Sequence, residues 1–390
     1  MIKIKNIKLF KSKVSKRLLQ DTYNLLEQED VKDEKIRIMP DAHPGSDVMV
    51  GFTSTLEKGL IDPKKIGFDI GCGVTVYKIG KFNPDVVDLH TFISNEIPAG
   101  RNIHESQKVP KEAIRIINMV CKNTSFDIKQ RAIDSLGTLG GGNHFISLAK
   151  DEDEVVYLVI HSGSRGFGGF VAKYFMDLVG QNAQKENVKA RQELIKQLKS
   201  EGKQQEIQEK LAKLPQKSLK YLEGMDTTTY FRVLQAVVEY ASINRNMMAN
   251  KILKYLGADP NSVKITESIH NYISDDGIMR KGAIKAYEGQ KVVIPINLVD
   301  GIILGVGKGN EDWNYSAPHG AGRDMSRSEA KATLNEEEQL KLIDEAGIYA
   351  PNQPLDEMMG AYRGIDEILP QLEPTVEVKR IIKPFFNFQT

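Results

Sequence analysis

The sequence predicts an α+β protein. Three observations carry that assignment: blocks of short apolar runs broken by Pro and Gly at 36–79, 136–170 and 265–327, helical stretches set between them, and no internal repeat of solenoid or propeller type. Taken in order, residues 2–9 alternate Lys with apolar side chains and read as a strand. An amphipathic helix follows to residue 30, with Leu18, Leu19, Tyr23, Leu25 and Leu26 on its apolar spacing. The first block, 36–79, gives strands joined by loops that carry polar residues, the usual seat of chemistry. A mostly helical stretch at 111–135 leads into the second block, where 145–148 and 155–161 read as strands beside glycine-rich loops. Residues 171–220 are rich in Lys, Glu, Gln, Ala and Leu with one proline, Pro215, and predict a protruding helical hairpin. The third block returns to strands and glycine loops, and the remainder holds a short helix over 356–368 and a final strand.

Length and composition bound the function. At 390 residues the chain is long enough for a large core, and at 41% hydrophobic and 27% charged it lies in the range of folded soluble proteins. Lys and Arg total 53 against 52 Asp and Glu, a net charge of +1, so nucleic-acid binding has to come from a local patch. The first residues lack the continuous apolar stretch of a secretory signal, and the longest apolar runs, such as 155–160, are too short to span a bilayer. Two cysteines offer no disulfide framework. The cytoplasm is the expected location, with no membrane partner.

Residues able to do chemistry gather in the loops. Of the seven histidines, at 43, 90, 104, 144, 161, 270 and 319, five lie in or beside Gly, Asn or Ser clusters. Asp69, Cys72, His144, His161 and His270 make a five-ligand set with spacings of 3, 72, 17 and 109 residues. Such spread ligands suit a metal centre at the rim of a sheet and match no compact zinc finger. Each also has an ordinary reading: His161 as a hydrogen-bonded strand-end residue, Cys72 as a small buried hydrophobe. The glycine runs invite phosphate, because backbone N–H groups approach an anion where no Cβ intervenes. No P-loop is present, however, and Gly140-Gly141-Gly142-Asn143 lacks dinucleotide-binding spacing, so structural turns account for each loop alone. The cations in these loops add weight: Arg165 in HSGSRG, Lys281 in RKGA, Arg323 and Arg327 in HGAGRDMSR. A guanidinium fork matches phosphate oxygens two at a time. His319, among small residues four positions before Arg323, has the setting of a nucleophile toward phosphorus, with an ordinary surface histidine as the alternative.

Taken together, MPDAHPG (39–45), GFDIGCGV (67–74), LGTLGGGNHF (136–145), HSGSRGFG (161–168), Asn244-Arg245, SIHN (268–271), RKGA (280–283) and HGAGRDMSR (319–327) stand in the order of the RtcB family of RNA-splicing ligases. The chain resembles that family from about residue 39 to Tyr362. The resemblance implies a single compact α+β catalytic domain over residues 1–390, with mixed β-sheets flanked by helices. It also implies a dinuclear Mn²⁺ centre, GTP as energy source, and the joining of RNA 2′,3′-cyclic phosphate or 3′-phosphate ends to 5′-hydroxyl ends in tRNA splicing or RNA repair. Matched position by position, it places metal ligands at Asp69, Cys72, His144, His161 and His270, with Cys72 bridging both ions. It places guanylylation at His319, phosphate contacts at Arg165, Lys281, Arg323 and Arg327, and nucleotide contacts at Asn143, Phe145, Gly320, Gly322 and Tyr362; in the altered loop after Pro295, Asn297 or Asp300 is the expected nucleotide contact. The expected partners are RNA ends, GTP and an accessory guanylylation or repair factor, and the expected state is a monomer.

Four features depart from the family pattern. Ser147 replaces the glutamate of Asn-His-Phe-x-Glu, and Met279 the usual histidine before Arg-Lys-Gly. The loop at 295–300 reads Pro-Ile-Asn-Leu-Val-Asp in place of a small serine-bearing loop, and Gln389 replaces a lysine. On the family pattern Ser147, Ile296 and Gln389 fall in the guanine pocket, so a divergent subgroup with altered nucleotide or partner preference is expected. Two other readings stay open: a two-metal phosphohydrolase or cyclic phosphodiesterase, which does not need His319 as a nucleophile, and a non-catalytic RNA-binding protein indifferent to metal and to Cys72. Cys and His ligands by themselves favour Zn²⁺ over Mn²⁺.

Overall fold

The β-branched runs assemble into two large sheets in the computed structural model, which describes residues 1–11, 14–45, 47–125, 127–216, 218–258 and 263–390. One sheet has seven strands in the order Lys291–Asn297, Gly301–Gly307, Val376–Gln389, Phe145–Lys150, Val155–Ser162, Gly73–Lys81 and Lys264–Ile269, each antiparallel to its neighbour. Val155–Ser162 is buried at every position after its first, the pattern of a strand covered on both faces. The other sheet has six strands, in the order Ile2–Ile4, Ile7–Leu9, Ile36–His43, Val50–Thr55, Ile278–Lys281 and Asn271–Ile273. A two-stranded ribbon, Ala283–Lys285 with Ser316–Pro318, completes the β-structure.

Register in the larger sheet decides what meets at its rim. Gln389 lies opposite Phe145, Phe145 opposite His161 and His161 opposite Val74, while Asn387 lies opposite Ser147. Directly opposed residues of antiparallel strands share a face. One face therefore carries Gln389, Phe145 and His161 in a row, with Asn387 and Ser147 in the next row.

The helix Gly224–Tyr255 ties the halves together. Its buried side chains recur at helical spacing; Tyr230, Val233, Leu234, Val237 and Tyr240 enter one core cluster, and Met248, Ala249, Ile252 and Leu253 enter another. Between those groups the same helix buries two polar residues, Asn244 and Arg245, beneath the loops of the larger sheet. Among the described residues, no helix is long and apolar enough to cross a membrane.

Several elements differ from the sequence expectation. The strand at 2–9 is two short antiparallel strands, because Lys5 turns the chain with φ +51°. The helix after it spans Lys16–Leu25 and stops short of residue 30. The hairpin at 171–220 is strongly asymmetric: its outgoing arm is one helix, Arg165–Ser200, and its return is a 3₁₀ turn, Gln204–Glu206, plus the short helix Ile207–Lys213. Phe167, Val171, Ala172, Phe175 and Val179 anchor the first half of the long helix, and past Val179 only Leu198 is buried. The short helix expected at 356–368 is instead two 3₁₀ turns, Leu355–Glu357 and Met359–Ala361, followed by the helix Ile365–Leu372. Tyr362 takes an extended conformation to form a β-bridge with Arg323, which interrupts the helix.

Candidate active site

The five expected ligands come from four separate places and converge. Asp69 and Cys72 lie in the turn before strand Gly73–Lys81, His144 just before Phe145–Lys150, His161 near the end of Val155–Ser162, and His270 just after Lys264–Ile269. Nε2 of His144 is 3.1 Å from Oδ2 of Asp69 and 3.4 Å from Sγ of Cys72; Nε2 of His161 is 3.3 Å from the same sulfur and 3.4 Å from Nε2 of His270. The donor atoms form two triads, Asp69–Cys72–His144 and Cys72–His161–His270, with all atoms of each triad within 4.8 Å of one another and Cys72 common to both.

Two of the imidazoles are held in the ligand tautomer from behind. Nδ1–H of His144 donates to the Leu139 carbonyl at 3.1 Å, and Nδ1–H of His161 to the Asn143 carbonyl at 2.8 Å, an assignment made from the hydrogen-bond network. Their Nε2 lone pairs are thereby aimed at the sulfur. Burial pushes His161 down to about 3 and His270 well below the ordinary imidazole value, so both are neutral at physiological pH. Burial alone would raise the Asp69 carboxyl, but the adjacent His144 outweighs it and holds Asp69 at about 2. Burial, then the Asp69 carboxylate, pushes the Cys72 thiol well above its ordinary value. A thiolate there needs a cation in place of the proton, and the donor set fits one shared by two divalent ions.

Arg245 and Asn244 brace the loops that carry these ligands. The fully buried Arg245 guanidinium donates from Nη1 to the carbonyls of Gly71 at 3.0 Å and Ser162 at 2.7 Å, and from Nε and Nη2 to Oε1 of Glu267 at 2.9 and 2.6 Å. Asn244 Nδ2 donates to the Thr138 and Gly163 carbonyls, each at 3.1 Å. Gly163 is glycine for a packing reason, since a Cβ there would overlap Oδ1 of Asp69.

His319 adjoins the second triad, its ring centre 4.9 Å from that of His270. Its Nδ1–H donates to Oδ2 of the fully buried Asp41 at 2.7 Å, and its backbone N–H reaches the same oxygen at 3.2 Å. Nε2 is left as a free lone pair on a cavity of about 360 Å³. Gly322, with φ +72°, lies so close over the Asp41 carbonyl that any Cβ would overlap it.

The cavity wall includes Asp69, Cys72, His161, His270, Lys281 and His319, together with Asn143, Phe145, Asn297, Gly320, Gly322, Arg323, Arg327 and Tyr362. Not every residue singled out in the sequence points a free group there. His144 touches Asp69 and Cys72 from outside the wall. Arg165, at φ +56° on the first turn of its helix, donates from Nε to Thr138 Oγ1 at 2.8 Å and from Nη2 to the Gly100 carbonyl at 2.7 Å, so two of its nitrogens tie loops together. Asn297 closes its own turn, accepting from the N–H groups of Val299 and Asp300 at 3.0 and 2.7 Å. Arg323 stacks over the Tyr362 ring, 4.9 Å from its centre, and donates to the Asp356 carbonyl at 2.6 Å. Arg327, at the start of a helix whose Ser326–Glu329 capping box fixes its position, pairs with Asp356 at 2.9 Å and Glu357 at 2.5 Å. The buried ammonium of Lys281 is pushed down by its burial.

Sequence reasoning missed Asp41, which sat in plain view in Pro-Asp-Ala-His, and also His43, Gln353, Glu357 and Asn387, which line the same cavity. Only the alignment of Pro-Asp-Ala-His with the glycine-flanked His319 segment could have signalled Asp41; the others lie in stretches with no motif.

A sheet-rim cavity that joins a cluster of candidate metal ligands to an oriented imidazole and several cations fits a class: proteins equipped for metal-assisted transfer of a phosphorus-bearing group. The particular family follows from comparison with known proteins. A family model described as tRNA-splicing ligase RtcB matches residues 26–125 and 116–390, and the chain belongs to that family. It is 30% identical to RNA-splicing ligase RtcB of Escherichia coli K12, over 88% of this chain and 87% of that protein. It is 27% identical to tRNA-splicing ligase RtcB of Aeropyrum pernix, over 88% and 85%, and 24% identical to RNA-splicing ligase RtcB homolog 2 of Entamoeba dispar, over 85% and 75%.

Proposed function

We propose that this protein is an RNA ligase that joins an RNA 3′-phosphate, or a 2′,3′-cyclic phosphate after its hydrolysis, to a 5′-hydroxyl, using GTP and two Mn²⁺ ions. The observation that carries the reading is the free Nε2 of His319, oriented by Asp41 and placed beside two triads that meet at Cys72. Family membership supports the same conclusion, since the relatives are named RNA-splicing or tRNA-splicing ligases.

Asp69, Cys72, His144, His161 and His270 would hold the metal. Divalent ions bound there would neutralise charge on phosphate oxygens. The chain's own residues do the rest. Nε2 of His319 attacks the α-phosphorus of GTP; an N–P bond forms, the bond to the bridging oxygen breaks, and pyrophosphate leaves. Asp41, accepting from Nδ1–H, stabilises the positive charge that the ring gains. Lys281 supplies a buried positive charge for phosphate. The RNA 3′-phosphate then takes GMP from His319, and the 5′-hydroxyl of the second fragment displaces GMP to form the phosphodiester.

The test is to incubate the protein with Mn²⁺ and α-labelled GTP and then denature it. Acid-labile label on the chain, absent from His319→Ala, is the expected result, with a fall on the order of 10⁴-fold or more. Metal-loaded protein that never takes label would move the assignment to a phosphohydrolase.

A further inference from the structure

The long helix Arg165–Ser200 starts at the active site and leads away from it. Its first side chain, Arg165, stands beside His144, since a Cβ on Gly140 would meet both. At 1.5 Å of rise per residue, positions 185 and 199 lie about 30 and 50 Å along the axis from that start. The half beyond Val179 is therefore an arm, and the arm has two unlike faces.

One face is held. Ala183, Ala190 and Leu194 are half-buried and Leu198 is buried, all on one helical side, and the arm packs against the return helix Ile207–Lys213. The opposite face is bare. Lys185, Lys189, Gln192, Lys196 and Lys199 are exposed, and at 3.6 residues per turn the four lysines fall within an arc of about 80° over a length of about 21 Å. Val188 is exposed at its margin.

Charge is concentrated here. Residues 181–200 hold five cations and two carboxylates, a net +3 against +1 for the whole chain, so all other residues together carry −2. Of those two carboxylates, Glu186 is half-buried and Glu193 stands at the edge of the stripe. The carboxylates that follow are taken by their own neighbours: Glu201 by Lys203 at 2.8 Å, Glu206 by Lys210 at 3.2 Å and Glu209 by Lys213 at 2.5 Å. Among the described residues, none of the four lysines of the stripe has a carboxylate partner. Protein interfaces deplete lysine and centre on aromatic or aliphatic anchors, which this face lacks. A row of unpaired ammonium groups suits a phosphate backbone instead.

We infer that the arm is a second RNA-binding surface, on which Lys185, Lys189, Lys196 and Lys199 hold the phosphate backbone of a duplex stem belonging to the RNA whose end lies at the active site. The inference rests on the proposed joining of RNA ends for the source of that RNA. At roughly 3 Å of axis per base pair, a stem of about twenty base pairs spans the distance from the site to the end of the arm, whereas a short single strand does not leave the site. The arm thereby favours folded RNAs through affinity, with no part in the chemistry.

The experiment measures binding of two labelled RNAs ending in a 3′-phosphate, a single strand of about six nucleotides and a hairpin with a stem of about twenty base pairs, over a salt series. Wild type is compared with the combined variant Lys185→Gln, Lys189→Gln, Lys196→Gln and Lys199→Gln. Each lysine–phosphate contact adds about one to the slope of log K against log salt, so the variant is expected to lose about two to four from the hairpin slope and about tenfold or more in hairpin affinity, with the short strand unchanged. A hairpin slope that stays within about one of wild type, or an equal loss for both RNAs, overturns the inference. So does a comparable loss when the same four lysines are changed to Arg, which keeps the charge. Labelling by α-labelled GTP reads the reaction separately: it is expected to be the same in wild type and both variants. Wild type that binds the hairpin as expected but takes no label would overturn the proposed reaction and support the RNA surface.

Discussion

The two ends of the cavity are built on opposite principles. At the His319 end the working groups are ionisable, and each is held by a partner from a distant part of the chain: His319 by Asp41, His161 by the Asn143 carbonyl, and the ligand loops by Arg245. At the amide end the groups are neutral and hold one another, Asn387 to Gln353 to Gln389. The first end is costly to fold and narrow in its chemistry, because buried charges and bare lone pairs are tolerated in one arrangement only. The second is cheaper to fold, because neutral amides satisfy one another's donors and acceptors without burying a charge.

The largest effect expected from this contrast is that of Cys72→Ala. Because the sulfur belongs to both triads, the variant should lose stoichiometric binding of both divalent ions in a metal titration, and nucleotide labelling with them; retention of one full-affinity ion would show that the triads act independently. Next is Asp41→Asn, which leaves the shape of the site intact but removes the carboxylate that fixes the His319 tautomer. Labelling should fall roughly 10²–10⁴-fold with thermal stability retained. The smallest effects separate the ends by pH. Burial, against the pull of the neighbouring Asp41, holds His43 down to about 4, against 6.5 for an ordinary imidazole. Between those values the unfolded chain binds the extra proton, so stability falls as pH drops from 6.5 to 4 and levels off below. His43→Gln should flatten that part of a urea-midpoint profile. Ser147→Ala should shift the whole profile down by about 1 kcal/mol and leave its slope unchanged.

Legibility in the sequence followed the same division. The candidate ligands were readable because each stands in a short, rare motif at a strand end, and the structure brings all five together. Asp41 was not, because a carboxylate in an eight-residue strand, Ile36–His43, looks like any other until His319 folds over it. For Arg165 the glycine-rich setting suggested a phosphate contact, and the structure adds what the sequence did not show, that Nε and Nη2 tie Thr138 to Gly100. The helix expected over 356–368 failed because Tyr362 is drawn into a bridge with Arg323, a contact thirty-nine residues away that local propensity cannot anticipate.

By itself the sequence determined the α+β alternation, the family resemblance and which residues stand as candidate ligands and candidate nucleophile, all of which are properties of local patterns and of residue chemistry. Only the tertiary structure decided that the five ligands form two triads with a common sulfur, that Asp41 orients His319, and that Gln353 joins Asn387 and Gln389 in one network. The reason is physical. These relations depend on strand register and on contacts between residues tens to hundreds of positions apart, where a shift of one residue would turn every side chain to the other face of the sheet.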